Sequence, residues 1–234
     1  MIESVNNEKI KKYAKLNEKK YRDKEHMLIV EGEHLVEEAF KNNLVIEAFS
    51  LDERDYSTTV SVNVMKKISN LTNPPKILAV VRVLKERPIH GNILILDGIQ
   101  NPGNLGTIIR SAVSFGVDTI VASLDTVDLY NPKVIRGSEG MLFKINYLKR
   151  DLLSFIKENK DNYTFITTDV SSGNDINDIK IDEYYALIMG NEGAGVRKEI
   201  SDEVNNKVHI KMDPVCESLN VSIATSILLY ELYK

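Results

Sequence analysis

Three short stretches of this sequence combine glycine-rich turns with amide, carboxylate, hydroxyl and guanidinium side chains. In residues 96–112, LDGIQNPGNLGTIIRSA, Gly98, Pro102, Gly103 and Gly106 make a sharply turned loop, and Arg110 follows in the helix beyond it. Asn101 and Asn104 suit turn and cap positions there. In residues 188–200, IMGNEGAGVRKEI, Gly190, Gly193 and Gly195 follow an apolar run. Such a turn lets a ligand approach the backbone closely. The glycine spacing is the reverse of the dinucleotide fingerprint, which disfavours a nicotinamide-dependent oxidoreductase. In residues 210–232, IKMDPVCESLNVSIATSILLYEL, Glu217, Ser218 and Asn220 stand at the mouth of the last helix. A cap by Ser218 explains one of these residues. It leaves Asn220, a mediocre helix former between two apolar residues, without a reason.

Around these loops the chain must supply a scaffold. Residues 5–20 read as one lysine-rich helix, then 27–30 as a strand and 31–40 as a helix with Leu35, Val36 and Ala39 at helical spacing. Strands are expected at 44–50 and 77–83. The apolar rhythm lapses over residues 84–91, LKERPIHG, and the domain boundary is placed there, dividing 1–88 from 89–234. Beyond it, strands at 92–96, 117–122, 143–147, 163–167, 185–189 and 208–212 alternate with helices, the last spanning 219–233. That alternation predicts an α/β fold with a parallel sheet, following a smaller N-terminal α/β domain. Parallel sheets bind ligands at the carboxyl ends of their strands. The loops after Leu96, Thr167, Met189 and Met212 are therefore where chemistry is expected.

Composition narrows the classes. No apolar run approaches the roughly 20 residues of a membrane span, and the N-terminus lacks a signal-peptide core, so a cytoplasmic protein is expected. Cys216 is the only cysteine, which excludes an internal disulfide. His26, His34, His90 and His209 lack metal-ligand spacing, so no metal is expected. The net charge of −4 hides an asymmetry, since residues 1–90 hold 16 Lys+Arg against 14 Asp+Glu. The helical spacing of Lys12, Lys15 and Lys19 puts them on one face that could meet phosphates, or serve only as a solvated surface.

Taken together, the three loops closely resemble the motifs of the SpoU/TrmH family of RNA 2'-O-ribose methyltransferases, within the SPOUT superfamily. Asn101 to Arg110 meets Asn-Pro-x-Asn-x-Gly followed by Arg; Met189, Gly190, Glu192 and Gly195 meet the second motif; Ser218 to Ala224 meets the third. Residues 131–145, NPKVIRGSEGMLFKI, look like the family's middle segment, and LIVEGEHLVEEAF, residues 28–40, like the substrate-binding domain of its ribosomal-RNA members. Two departures are Lys211, where the family has proline, and Pro214, near its glycine.

The resemblance implies a deep trefoil knot in the C-terminal domain, S-adenosylmethionine as methyl donor without a metal, and a homodimer formed through that domain. It places the donor near Thr168, Gly190, Asn191, Ile210, Met212, Ser218 and Leu219. It gives catalytic roles to Arg110, Asn104, Glu192, Ser218 and Asn220, and RNA contacts to Asn101, Arg110 and Arg136 beside the lysines. Arginine is an awkward base, with a pKa above ~12, so Arg110 either assists the proton or positions the nucleotide. Ribosomal RNA, specifically 23S, is favoured over transfer RNA as the expected substrate. A non-catalytic RNA-binding paralogue is the main rival, and retention of all five catalytic positions argues against it.

Overall fold

The computed structural model describes residues 1–169 and 173–234, which form two compact units. One comprises Met1–Lys85 with Tyr130–Phe143, the other Glu86–Leu129 with Lys144–Lys234.

The first unit opens with α1 (Glu8–Ala14), a 3-10 turn (Lys15–Asn17) and α2 (Lys19–Glu25), where one helix is expected from the sequence. The helix breaks because Glu18 is extended, at φ −98° and ψ 134°. The buried Arg22 donates to the carbonyls of Leu16 and Asn17, which replaces the helical bonds lost there. Lys12, Lys15 and Lys19 therefore lie on three different elements and form no single helical stripe. Next come β1 (Met27–Glu31), α3 (Glu33–Lys41), β2 (Val45–Ser50), β3 (Thr58–Thr59), α4 (Val62–Ile68) and β4 (Ile77–Arg82). Helix α3 starts two residues later than expected because Gly32, at φ +95°, makes the turn and leaves Glu31 in the strand. The sheet order is β1-β4-β2-β3, over a core that includes Ile10, Leu16, Phe49 and Met65.

The second unit contains β5 (Asn92–Leu96), α5 (Pro102–Ser114) and β6 (Val117–Ser123). After α6 (Pro132–Gly137), which belongs to the first unit, it resumes with β7 (Asn146–Arg150), α7 (Leu152–Asn159), β8 (Thr164–Thr168), β9 (Tyr185–Met189), α8 (Lys198–Ser201), β10 (Asn206–Val208) and α9 (Val221–Tyr233). All six strands pair in parallel, in the order β10-β8-β9-β5-β6-β7, as the strand–helix alternation predicts. The central strands are apolar on both faces: Ile93 to Leu96 and Ala186 to Ile188 are fully buried. Strand β10 is shorter than expected, because the chain leaves the sheet after Val208 and the His209 N–H donates to the Asn174 carbonyl.

The sequence alone groups residues 130–143 with the methyltransferase-like part, yet they pack within the first unit. Val134 and Ile135 are buried, Arg136 lies 3.8 Å from the buried carboxylate of Glu31, and His34 meets the Glu139 carbonyl at 3.3 Å. Gly140, at φ +79°, approaches α3 so closely that a Cβ there would lie 2.9 Å from that of Glu38. Strand β7 accordingly begins three residues later than expected, after a 3-10 turn at Met141–Phe143. A chain beginning at Gly91 keeps this segment without β1 and α3, so trypsin is expected to cut rapidly after Lys133 and Arg136. The full chain should be protected there. Equal protection in both would show that the segment is held without its first-unit partners.

Candidate active site

Strands β5, β8, β9 and β10 end at one edge of the parallel sheet, and the three loops meet there. Asn101 caps α5, its side chain accepting from the N–H groups of Gly103 (2.8 Å) and Asn104 (3.4 Å), with Pro102 at the first helical turn. That leaves the Asn104 side chain clear of the cap. Asn220 caps α9, accepting from the Ser222 N–H at 2.9 Å and its hydroxyl at 2.7 Å. The cap is thus Asn220 rather than Ser218, which supplies a reason for the asparagine.

The two cap residues join a network. The Asn220 side chain donates to Asn104 Oδ1 at 3.1 Å, and Asn104 donates to Glu192 Oε1 at 3.0 Å. Glu192 also accepts from the backbone N–H groups of Asn101 (3.0 Å) and Gln100 (3.3 Å). Partial burial pushes the Glu192 carboxyl up. Hydrogen bonds from the Asn104 amide and from backbone N–H groups outweigh this, so its pKa falls below the ordinary glutamate value.

Backbone geometry explains the glycines. The loop after β9 folds back so that Asn191 and Gly195 exchange two backbone hydrogen bonds of 2.9 Å. A Cβ on Gly190 would lie 2.0 Å from the Gly195 carbonyl carbon, which only glycine avoids. The loop is fastened at both ends. Asn191 donates to the Gly98 carbonyl at 2.7 Å, and Arg197 donates to Asp97 through its backbone N–H (2.8 Å), Nε (2.7 Å) and Nη2 (2.5 Å). Asp97 is only 1% exposed, so this pairing is what makes its charge tolerable. Sequence reading missed both Asp97 and Arg197. Only the position of Asp97 directly after an apolar strand hinted at a role.

A cavity of about 430 Å³ lies beside the network. Its wall brings together Thr168, Gly190, Asn191, Ile210, Met212, Ser218 and Leu219, every position assigned to the donor, together with Glu192. His209, Glu217 and Ala224 also line it and were not expected. Neither Lys211 nor Pro214 is part of the wall. Apolar side chains beside glycine backbone suit S-adenosylmethionine, which carries a flat base and a polar amino-acid end. Arg110 is exposed on α5 and, among the described residues, forms no ion pair. The remaining expected contacts lie in the first unit, with intramolecular partners. Lys12 pairs with Glu25 (2.7 Å), Lys19 with Asp23 (2.6 Å), and Arg136 lies near Glu31, while the Lys15 ammonium sits 5.5 Å above the Tyr21 ring. Among the described residues no group of three or more His, Cys, Asp or Glu could hold a metal, and no helix is long and apolar enough to cross a membrane.

Comparison with known proteins gives this geometry a lineage. Residues 91–230 match the model of the SpoU rRNA Methylase family, and residues 7–79 that of the MRM3-like substrate binding domain. A Bacillus subtilis protein named 23S rRNA (guanosine(2553)-2'-O)-methyltransferase RlmP is 35% identical, over 99% of this chain and 98% of its own. A crystal structure of an RNA 2'-O ribose methyltransferase superposes with a TM-score of 0.81 at 29% identity, covering 98% of this chain and 96% of that one. The AdoMet-bound rRNA methyltransferase of Sinorhizobium meliloti superposes with a TM-score of 0.87 at 26% identity, over 98% and 95% of the two chains. With the family model spanning residues 91–230 and its three motifs joined by the hydrogen bonds of Asn104, Glu192 and Asn220, the chain belongs to the SpoU rRNA methylase family.

Proposed function

We propose that this protein transfers a methyl group from S-adenosylmethionine to a ribose 2'-hydroxyl of RNA, with 23S ribosomal RNA as the substrate. The Asn220–Asn104–Glu192 network bordering the cavity carries this reading, because it sets polar groups beside a pocket suited to the donor. The full-length similarity to a 23S rRNA 2'-O-methyltransferase supports the ribosomal substrate. A ribosomal RNA substrate and a lone exposed thiol at Cys216 suit a cytoplasmic protein.

Bound S-adenosylmethionine supplies an electrophilic methyl on a sulfonium, already a good leaving group. The protein's task is then to orient the hydroxyl and ease its proton away, and orientation alone can contribute several kcal/mol. Thr168, Gly190, Ile210, Met212, Ser218 and Leu219 would hold the donor, and Asn101 would face the RNA. Glu192 is ionised and occupied by N–H donors, so it positions Asn104 and Asn220 rather than taking the ribose proton. Arg110, exposed and without an ion pair among the described residues, is a group available to the reacting nucleotide.

Replacing Arg110 by Ala should abolish methyl transfer to RNA while leaving cofactor affinity nearly unchanged. Tritium transfer and a cofactor titration read the two separately, and near wild-type turnover would remove Arg110 from the mechanism.

Glu192→Gln should slow turnover by about tenfold or more, because one carboxylate oxygen becomes an NH2 facing N–H donors, a loss of ~1–3 kcal/mol. The lowered pKa of Glu192 means that its acceptor role is complete above the ordinary glutamate range and is lost only as pH falls through the depressed value. NMR titration of the carboxyl should show this depression, and Asn104→Ala should reduce it. An unshifted titration in the intact protein would break the argument.

The second unit is also proposed to form a homodimer. On α9, Leu228 and Leu229 are buried, while Ile223 (52%), Ile227 (37%) and Tyr230 (52%) are exposed along one side. Sedimentation of the full chain should give a dimer mass, and Ile227→Lys with Tyr230→Lys should give a monomer. A monomeric wild type at micromolar concentration would sink the idea.

A further inference from the structure

We propose that the first unit carries a phosphate-binding pocket for an unpaired stretch of the RNA substrate, built from Lys15, Lys24 and Lys67 beside the ring of Tyr21. The inference rests on the RNA methyltransferase reading above.

A cavity of about 470 Å³ is lined by residues of α1, the 3-10 turn, α2 and α4, among them Lys11, Lys12, Lys15, Tyr21, Lys24 and Lys67. Three glutamates also line it, and each already holds a lysine. Glu8 pairs with Lys11 at 2.9 Å, Glu25 with Lys12 at 2.7 Å, and Glu18 with Lys20 at 2.9 Å. Among the described residues, Lys15, Lys24 and Lys67 form no ion pair with a carboxylate. Three exposed ammonium groups thus share one concavity without a carboxylate in contact, the charge of Glu25 reaching Lys24 only from a distance. Like charges gathered in this way repel one another, and an anion placed among them removes the repulsion.

The shape points to a nucleic-acid strand rather than to a small ion. The charges come from three elements around a space of nucleotide size, and a half-buried aromatic ring stands in the wall. The ammonium groups of Lys15 and Lys20 lie 5.5 and 4.8 Å from the centre of that ring. A positive groove next to an aromatic face is the combination that binds unpaired nucleotides, the cations tracking phosphates and the ring taking a base. Lys19, spent on Asp23, does not line the cavity, whereas Lys67 joins from α4, far away in the sequence.

The test uses the full chain and an unmethylated 23S ribosomal RNA transcript, with affinity measured across a potassium chloride series. Each phosphate neutralised contributes about 0.7 to 0.9 to the slope of log affinity against log salt, so replacing Lys15, Lys24 and Lys67 by Gln should lower that slope by about two to three. Cofactor affinity should stay unchanged, and Lys66→Gln, outside the cavity, should leave the slope close to wild type. In the wild type, bound transcript should protect Lys15, Lys24 and Lys67 from chemical acetylation. A triple variant that keeps the wild-type slope, or no protection of these lysines, overturns the pocket while leaving the RNA reading intact. A wild type that does not bind the transcript overturns both.

Discussion

The negative charge of Glu192 is shared by N–H groups from a loop and helix some ninety residues earlier in the chain, those of Gln100, Asn101 and Asn104. Hydrogen bonds to an ionised acceptor are roughly twice as strong as neutral ones, so this carboxylate is a strong tie between two of the loops. Asn104, oriented by it, presents its oxygen to Asn220 and so ties in the third. Asn220 in turn starts α9, which packs on α5 with Ser226 and Ser111 at 2.7 Å. Take the charge away and three loops lose the acceptor that sets their register.

The wall of the candidate active site is held by polar contacts rather than by apolar packing, for a reason set by its place at the rim of the sheet. A loop at the strand ends has few neighbours to pack against, so its shape must come from hydrogen bonds. Asn191 fastens the start of the loop after β9 to Gly98, and Arg197 fastens its end to Asp97. Between them Gly190 allows the chain to pass over itself. Burying Asp97 is costly, and three donors from one arginine offset that cost while fixing the loop's length and direction.

The first unit follows a different electrostatic logic. Its lysines are numerous, and several are neutralised locally: Lys9 by Glu47, Lys11 by Glu8, Lys12 by Glu25, Lys19 by Asp23 and Lys20 by Glu18. Exposed pairs of this kind stabilise the fold little. Their consequence is instead to leave the positive charge of the unit on its other lysines, Lys15, Lys24 and Lys67 among them, which no count of charges along the sequence could locate.

Local patterns in the sequence determined the parallel α/β sheet and the turned loops at its strand ends, because side-chain periodicity and glycine–asparagine turns are short-range properties. Continuous apolar runs at 92–96 and 185–189 required strands buried on both faces, and the residues expected around a donor do line one cavity. The break at Glu18, the packing of residues 130–143 with β1 and α3, and the hold of Arg197 on Asp97 came only from the tertiary structure. Each depends on a side-chain partner that periodicity does not name: Arg22 capturing two nearby carbonyls, and, far apart in the chain, Glu31 facing Arg136 and a buried carboxylate calling for a guanidinium. Periodicity fixes which side of an element faces inward. Which distant group meets it there is decided only when burial makes an unpartnered polar atom too costly to leave alone.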